Sequence, residues 1–384
     1  MTTNNHRRAQ SLPTATSRPD GAADTRVRSF SAWRCSGGLA LLLAACAPTP
    51  SASPAPIQLA ATRPTPSEVL ERFGATQKAI REKFKSYSMV TETVFLDDPV
   101  TFKGGVKIPL KGIPPQVEEF RRDANRFFVS ELTPSVMYMP DVYVPGDQRN
   151  RTWVWDGERY YFYTQFSPEY AALFTRKHPK SPSQFAGENR EKGWGTVEIY
   201  ADLKDKTTRN WISGRRPALG QVEEYERLRS AEHLTLGTGP QTVAGATCYL
   251  LEARTKDTTN RVWLDPIRGY QILKQEIIEH GKPAYAVWDV LCEQVEELWF
   301  PMEKKWQYLN THGGWTENRQ HYKVVKLVLN PDHEALRSFV LQPREYSFVQ
   351  IHGAEGVDAS GVYFWKGGTV QAKDGRVILK SAVR

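Results

Sequence analysis

The sequence has few of the residue patterns that support catalysis or metal binding. Only four cysteines occur in 384 residues, and they form no Cys-x-x-Cys pair and no Cys/His cluster. The fingerprints Gly-x-Ser-x-Gly and His-Glu-x-x-His are missing, as are the phosphate-binding and dinucleotide-binding glycine motifs. We therefore predict a protein that is not an enzyme and that has no cofactor and no metal.

The chain also lacks a strong excess of one charge. It has 51 Lys and Arg against 43 Asp and Glu, and residues 1–45 hold six Arg and two Asp. The remaining chain has a formal net charge of only +4, with the basic residues scattered. A nucleic-acid-binding surface needs a clustered basic face, so no nucleic-acid partner is predicted.

The apolar run from Gly37 to Cys46 is the longest in the chain, and arginines precede it. A membrane-spanning helix needs about 20 apolar residues, so this run is too short to be one. A basic leader, a short apolar core and small residues before a cleavage point are typical of a secretory signal peptide, here residues 1–45. The sequence Leu43-Ala44-Ala45-Cys46 resembles a bacterial lipobox, which predicts cleavage before Cys46 and its acylation. The alternative is an ordinary secretory signal in which the cysteine occurs by chance.

Residues 46–66 are dominated by Ala, Ser, Thr and Pro, a composition typical of an extended spacer. Ala47 stands where an aspartate would favour retention at the inner membrane. We therefore predict a protein of the bacterial cell envelope that is anchored in membrane lipid through acylated Cys46. Its location would be the outer membrane, facing the periplasm.

The folded region begins with a predicted helix. Thr65 and Glu68 have the spacing of a capping box, and apolar residues then recur every three or four positions as far as Tyr87. From Tyr87 the pattern alternates every two residues, as in a half-buried strand. Further strands are separated by turn residues, including Asp156-Gly157 and Asp265-Pro266, with Pro301 as another break. No βαβ alternation occurs, so we predict an α+β, mainly antiparallel protein with one large sheet.

Three segments depart from this pattern. An insertion is predicted at about residues 167–235, since its first part is rich in Pro, Gly, Lys and Arg. Within it, the charged stretch from Val222 to Ser230 is typical of a solvated surface helix. Residues 331–384 are predicted to form a small C-terminal β-appendage on the main domain, residues 67–330.

Several motifs together resemble the LolA/LolB-like superfamily. They are the helix 67–86 followed by the strand 87–95, the aromatic hairpin 153–163, the strand 243–253 with the turn Asp265-Pro266, and Trp299-Phe300-Pro301. The resemblance implies a large, curved, unclosed β-barrel with the N-terminal helix on its concave side. It also implies an apolar cavity for acyl chains. The candidate cavity residues are Phe73, Ile80, Phe84, Trp153, Trp155, Tyr161, Tyr163, Trp263, Trp288 and Trp306.

Other residues support weaker alternatives. Glu293, Glu296 and Glu297, near His280 and Asp289, could form an acid/base site of a hydrolase of envelope polymers, but an acidic outer strand face is the simpler interpretation. His312 lies in a predicted loop and is interpreted as solvated. Cys248 and Cys292 lie in different predicted strands, and both a disulfide and two buried free thiols remain open.

From these patterns we expect a non-catalytic protein that binds a hydrophobic ligand, either an acyl chain or a lipidated protein. The alternative is a tethered scaffold or stress sensor that binds another envelope protein through the insertion and the appendage.

Overall fold

A computed structural model describes residues 63–102, 105–134, 144–167, 194–200, 221–309, 318–358 and 360–380. All of these belong to one compact unit. The predicted signal peptide, Cys46, nearly all of the predicted spacer and His312 lie outside the described residues.

Two α-helices are described, α1 (Pro66–Lys83) and α2 (Val222–Arg229). The predicted capping box of α1 is confirmed: the Thr65 N–H donates to Glu68 Oε2 at 2.6 Å, and the Glu68 N–H donates to Thr65 Oγ1 at 3.2 Å. Pro66 occupies the first turn, where its missing N–H costs nothing. The helix ends at Lys83, slightly earlier than the predicted end at residue 86.

Twenty strands follow α1. They are β1 (Tyr87–Phe95), β2 (Val100–Thr101), β3 (Lys107–Ile108), β4 (Gln116–Arg122), β5 (Phe127–Pro134), β6 (Gln148–Trp155), β7 (Tyr160–Phe166), β8 (Trp194–Tyr200), β9 (His233–Leu236), β10 (Gln241–Val243), β11 (Ala246–Arg254), β12 (Thr258–Asp265), β13 (Gln271–Glu279), β14 (Lys282–Val295), β15 (Leu298–Tyr308), β16 (Gln320–Leu329), β17 (Phe348–His352), β18 (Tyr363–Lys366), β19 (Thr369–Ala372) and β20 (Val377–Lys380).

Eighteen of these strands form one sheet, and β2 and β3 form a separate pair. The sheet runs from β9 and β10, which both pair with β11, through β12, β13, β14, β15 and β16 to β1. It continues through β4, β5, β6, β7 and β8 to β17, β18, β19 and β20. Every pairing is antiparallel except that of β8 with β17, and no pairing closes the sheet within the described residues. This is an α+β fold with a large, unclosed, mainly antiparallel sheet, as predicted.

We call the face of the sheet that α1 covers the inner, concave face. Ile80 and Phe84 of α1 pack there against Tyr87, Met89 and Phe300. Side chains alternate between the two faces along each strand, and residues that are paired across neighbouring strands point to the same face. The face of every paired residue in the sheet can therefore be read from the register. The opposite side is called the outer face.

The helix α2 is not the solvated surface helix that its charges predicted. Val222 and Leu228 are buried, and the Tyr225 ring makes an edge contact with Phe73 of α1 at 6.0 Å between centroids. Gly74 lies directly beneath the Tyr225 ring, where a β-carbon would clash. The apolar residues recur every three positions, so one face of the charged helix packs on α1.

The predicted insertion and appendage also take part in the sheet. Residues 194–200, inside the predicted insertion, form β8. The parallel pairing of β8 with β17 then joins the C-terminal strands to the main sheet. Val349 and Trp365 pack with Tyr161 and Ile199 on the outer face, so residues 339–370 complete a core rather than stand apart from it.

The predicted break at Pro301 is wrong. Pro301 pairs with Cys292 inside the hairpin of β14 and β15, next to a register shift that tolerates a residue without an N–H. The chain reverses instead at Glu296, which has φ +53°, and at Glu297. These two glutamates therefore lie in a turn and not on a strand.

Candidate functional site

The inner face is apolar at both ends of α1. Near the start of the helix, Val69 and Phe73 pack on Leu251, Val262 and Leu264 of β11 and β12. Near its end, Phe84 meets Phe300 edge-on, with 6.0 Å between the ring centroids. All of these side chains are fully or nearly fully buried, so α1 is a packed lid on this part of the sheet.

Beyond the reach of α1, the inner face carries an aromatic cluster on β5, β6, β7 and β8. Trp153 stacks on Phe162 with 5.4 Å between centroids, and Tyr160 lies 6.3 Å from Phe127 and 5.9 Å from Tyr200. Trp153 and Tyr160 are fully buried, whereas Phe162 and Tyr200 keep part of their surface accessible. The cluster is therefore an apolar surface that is only partly covered.

A pocket of about 710 Å³ opens at the end of this cluster. It is lined by Phe127 and Trp155 and by the turns that join β4 to β5 and β6 to β7. Asp123 and Arg126 form an ion pair of 2.7 Å in the first of these turns. The pocket thus combines two aromatic side chains at its floor with a rim that is mostly charged and polar.

A polar group separates the aromatic cluster from the region under α1. Glu131 is buried, and both of its carboxylate oxygens accept from Arg151 Nη2 at 2.7 Å. The Thr133 hydroxyl donates to the same carboxylate at 2.5 Å. The Arg151 guanidinium also lies 5.1 Å from the centre of the Trp153 ring. This pair places two largely buried charged groups on the inner face, next to the aromatic cluster.

A second set of aromatic residues lies on β14 and β15. The register places Tyr285 opposite Tyr308 and Val287 opposite Trp306. The ring centroids of Tyr285, Trp306 and Tyr308 lie between 5.2 and 6.2 Å from one another. All three rings stay partly accessible. Lys304, two residues before Trp306 on the same face, points the same way.

The sheet is split between β13 and β14. Their pairing covers only Gln275–Glu279, so Gln271–Lys274 has no β14 partner. Gln221 fills the free edge: its side-chain oxygen accepts from the Ile272 N–H at 2.8 Å, and its side-chain N–H₂ donates to the Ile272 carbonyl at 3.2 Å. The Gln221 backbone N–H donates to Gln77 of α1 at 2.7 Å. Gln271 spans the gap itself by donating to the Trp299 carbonyl at 2.7 Å.

Cys248 and Cys292 lie in one apolar cluster at this split, together with Trp263 and Leu273. Both are free thiols. Burial raises the pKa of each thiol to about 12. They are therefore protonated and weakly nucleophilic near neutral pH.

The structure divides the candidate cavity residues between the two faces. The register and the packing place Phe73, Ile80, Phe84, Trp153, Trp155 and Trp306 on the inner side of the sheet. Tyr161 and Tyr163 point outward into the core formed with the C-terminal strands. Trp263 and Trp288 alternate with inner-face residues, and Trp263 packs in the cluster at the split.

Some residues of the inner face were not among the candidates. Tyr285 and Tyr308 share the two-residue alternation of Val287 and Trp306, and this alternation could have predicted that they lie on the same face. Lys304 and Gln221 were missed because a charged or amide side chain gives no sign of burial in the sequence.

The carboxylates considered for a hydrolase do not converge in a cleft. Lys83 contacts Glu296 at 3.0 Å and Glu297 at 3.6 Å in the exposed β14–β15 turn. Asp289 instead accepts from Lys305 at 2.9 Å, and His280 lies near Asp257 at 3.7 Å. These pairs are exposed and hold turns in place.

The described part of the chain contains neither a membrane-spanning helix nor a metal-binding cluster. Neither helix there is long and apolar enough to cross a membrane. No group of three or more His, Cys, Asp or Glu side chains there is placed to hold a metal ion.

No protein-family model and no curated protein sequence matches the chain. Several solved structures are distantly similar to the chain. A LolA superfamily protein from Nitrosomonas europaea has a TM-score of 0.34 and 11% identity, covering 73% of this chain and 99% of its own. A DUF1329 family protein from Desulfovibrio piger has a TM-score of 0.32 and 10% identity, covering 71% of this chain and 95% of its own.

The lipoprotein LppX from Mycobacterium tuberculosis has a TM-score of 0.27 and 9% identity, covering 69% of this chain and 97% of its own. Identities and TM-scores this low assign neither a family nor a function to this chain. Within the described residues, the fold is an unclosed, mainly antiparallel sheet with an amphipathic helix on its concave face.

Proposed function

We propose that this protein is a lipid-anchored envelope protein that binds a hydrophobic ligand on its inner face without covalent chemistry. One observation supports the proposal most strongly: aromatic side chains of the inner face stay partly accessible beyond α1 and α2. These are Trp155, Phe162 and Tyr200 on one side and Tyr285, Trp306 and Tyr308 on the other. Covering such surface gives roughly 25 cal/mol per Å², which favours an acyl chain over a polar ligand.

The pocket of about 710 Å³ supports the same proposal, because its size is within the range of small-ligand sites. Its floor of Phe127 and Trp155 continues directly into the aromatic cluster. An acyl chain that entered at the charged rim would therefore meet aromatic rings as far as the Glu131–Arg151 pair.

Binding can be tested with a fluorescent fatty acid and with native mass spectrometry of the protein purified from bacterial cells. We expect a co-purifying lipid and displacement of the fluorescent probe by unlabelled acyl chains. Trp155→Ser should weaken probe binding about tenfold, whereas Tyr346→Ser, at an exposed position away from the pocket, should leave it unchanged. A protein that carries no lipid and binds no probe would refute the proposal.

The anchor is proposed from Cys46 and from the spacer that follows it. Labelled palmitate should be incorporated into the full chain in cells, and Cys46→Ala should abolish the label. Incorporation that persists in the variant would show that the lipobox interpretation is wrong. Separation of inner and outer membranes then tests the predicted outer-membrane location.

The alternative of a scaffold that binds proteins through its C-terminal part has less support. Val349, Ile351, Tyr363 and Trp365 all point into the core that they share with β7 and β8. The apolar residues of these strands are therefore already used for packing within the chain.

A further inference from the structure

The inner face carries a lysine, Lys304 on β15, whose amine has no hydrogen bond and no ion pair with any other described residue. Its Nζ lies 5.3 Å from the centroid of the Tyr322 ring. Burial lowers the pKa of Lys304, although its side chain keeps some accessible surface. The amine therefore lies in a largely buried part of the inner face where part of the lysine side chain remains accessible.

The adjacent residues of β15 differ from Lys304 in this respect. Lys305, on the outer face, donates to Asp289 at 2.9 Å. Glu303, also on the outer face, pairs with Lys323 at 2.8 Å. Among the described residues, the outward charged side chains of this part of β15 are paired, whereas the inward one, Lys304, is not.

Three carboxylates act electrostatically on Lys304 without forming an ion pair with it. Glu118 of β4 and Glu223 and Glu224 of α2 act on it electrostatically, but none of them lies within the 4.0 Å of an ion pair. Glu224 also acts on Tyr285. Negative groups therefore lie within electrostatic range of the amine, and the partly accessible rings of Tyr285, Trp306 and Tyr308 lie on β14 and β15.

We propose that this region binds the zwitterionic headgroup of a phospholipid. The phosphate would pair with Lys304, and the ammonium group would lie towards Glu224 and Glu223, against the faces of the aromatic rings. A purely anionic headgroup would be repelled by the carboxylates, and a purely cationic one would be repelled by Lys304. A headgroup that carries one positive and one negative charge can pair with Lys304 and with the carboxylates at the same time. The inference rests on the proposed function, since it assigns the polar end of the ligand whose acyl chain lies on the aromatic surface.

The test compares three probes with the same acyl chain, namely lysophosphatidylethanolamine, lysophosphatidylglycerol and the free fatty acid. Binding is measured with the full chain carrying Cys46→Ser, which leaves every described residue unchanged. Lys304→Met and Glu224→Gln are the test variants. Lys305→Met, on the outer face, and Glu226→Gln, on an exposed position of α2, are the matched controls.

We expect lysophosphatidylethanolamine to bind about tenfold more tightly than the other two probes. Both test variants should remove that preference, both controls should keep it, and the affinity for the fatty acid should change little. Glycerophosphoethanolamine, which has no acyl chain, should compete only weakly if the lipid rather than the free headgroup is the ligand. Competition as strong as that of the lysolipid would overturn the assignment to a phospholipid.

Equal binding of the three probes, or a preference that survives Lys304→Met, would overturn the headgroup site while leaving acyl-chain binding in place. If no probe binds, the proposed function fails as well, so the two failures are distinguishable.

Discussion

Replacing Gln221 by leucine removes the side chain that occupies the free edge of β13. The amide of Gln221 forms two hydrogen bonds with the backbone of Ile272, and leucine has a similar volume but can form neither. Each bond contributes about 1 kcal/mol, and a buried backbone group left unpaired costs about 1–3 kcal/mol. We therefore expect the free energy of unfolding to fall by about 2–4 kcal/mol.

The measurement is denaturation in urea followed by tryptophan fluorescence, together with hydrogen exchange of the Ile272 amide. Exchange at that amide should accelerate more than exchange in β11 or β12, because the loss is local to the split. Gln294→Leu is the matched control, since Gln294 is an exposed glutamine on β14. If the two variants lose the same stability, or if the Ile272 amide stays protected in Gln221→Leu, the reasoning about the split is wrong.

Three other perturbations test separate parts of the fold. Glu131→Gln should lower the free energy of unfolding by about 3 kcal/mol in urea denaturation, since it leaves the Arg151 guanidinium without its buried counter-charge; a loss below about 1 kcal/mol would contradict this. Val349→Ala should cost about 2 kcal/mol and lower the melting temperature, because Val349 is fully buried in the core of β8 and β17; an unchanged melting temperature would show that this core contributes little. Cys248 and Cys292 should resist a thiol reagent at pH 8 until the protein is unfolded, and rapid labelling of the folded protein would contradict their burial. Because the pKa of each thiol is raised to about 12, the unfolded chain loses these protons at a lower pH than the folded one, so the free energy of unfolding should fall as the pH rises from about 9 towards 12.

The parts of the fold that depend on neighbouring residues were predictable from the sequence. The capping box at Thr65 and Glu68 sets the start of α1 through bonds across three residues. The turn after Asp265 is equally local, since its carboxylate accepts from the Ile267 N–H at 2.9 Å and Gly269 has φ +65°. Two-residue alternation likewise identified the hairpin of β6 and β7.

The parts that depend on distant residues were not predictable. Tyr161 and Tyr163 alternate as regularly as Trp153 and Trp155, and the period of two does not say which set faces inward. That choice is made by the C-terminal strands, which cover the outer face from nearly 200 positions further along the chain. The split between β13 and β14, and hence the role of Gln221, depends on where pairing stops rather than on any local motif. Lys304 faces inward by the same two-residue alternation as Trp306, but a charged side chain in a sequence gives no sign that it will be buried.

The parallel pairing of β8 with β17 has a consequence for the order of folding. Residues 196–200 are separated from their partners 348–352 by about 150 residues, so most of the sheet can pair before the partner strand is available. Until β17 arrives, β8 is an exposed edge strand whose apolar residues Val197 and Ile199 lie uncovered on its outer side, a state prone to pairing with other chains. A chain that ends before residue 348 would retain that edge permanently. The strands from β17 onward thus protect the edge and outer side of β8, and removing them should make the protein aggregate.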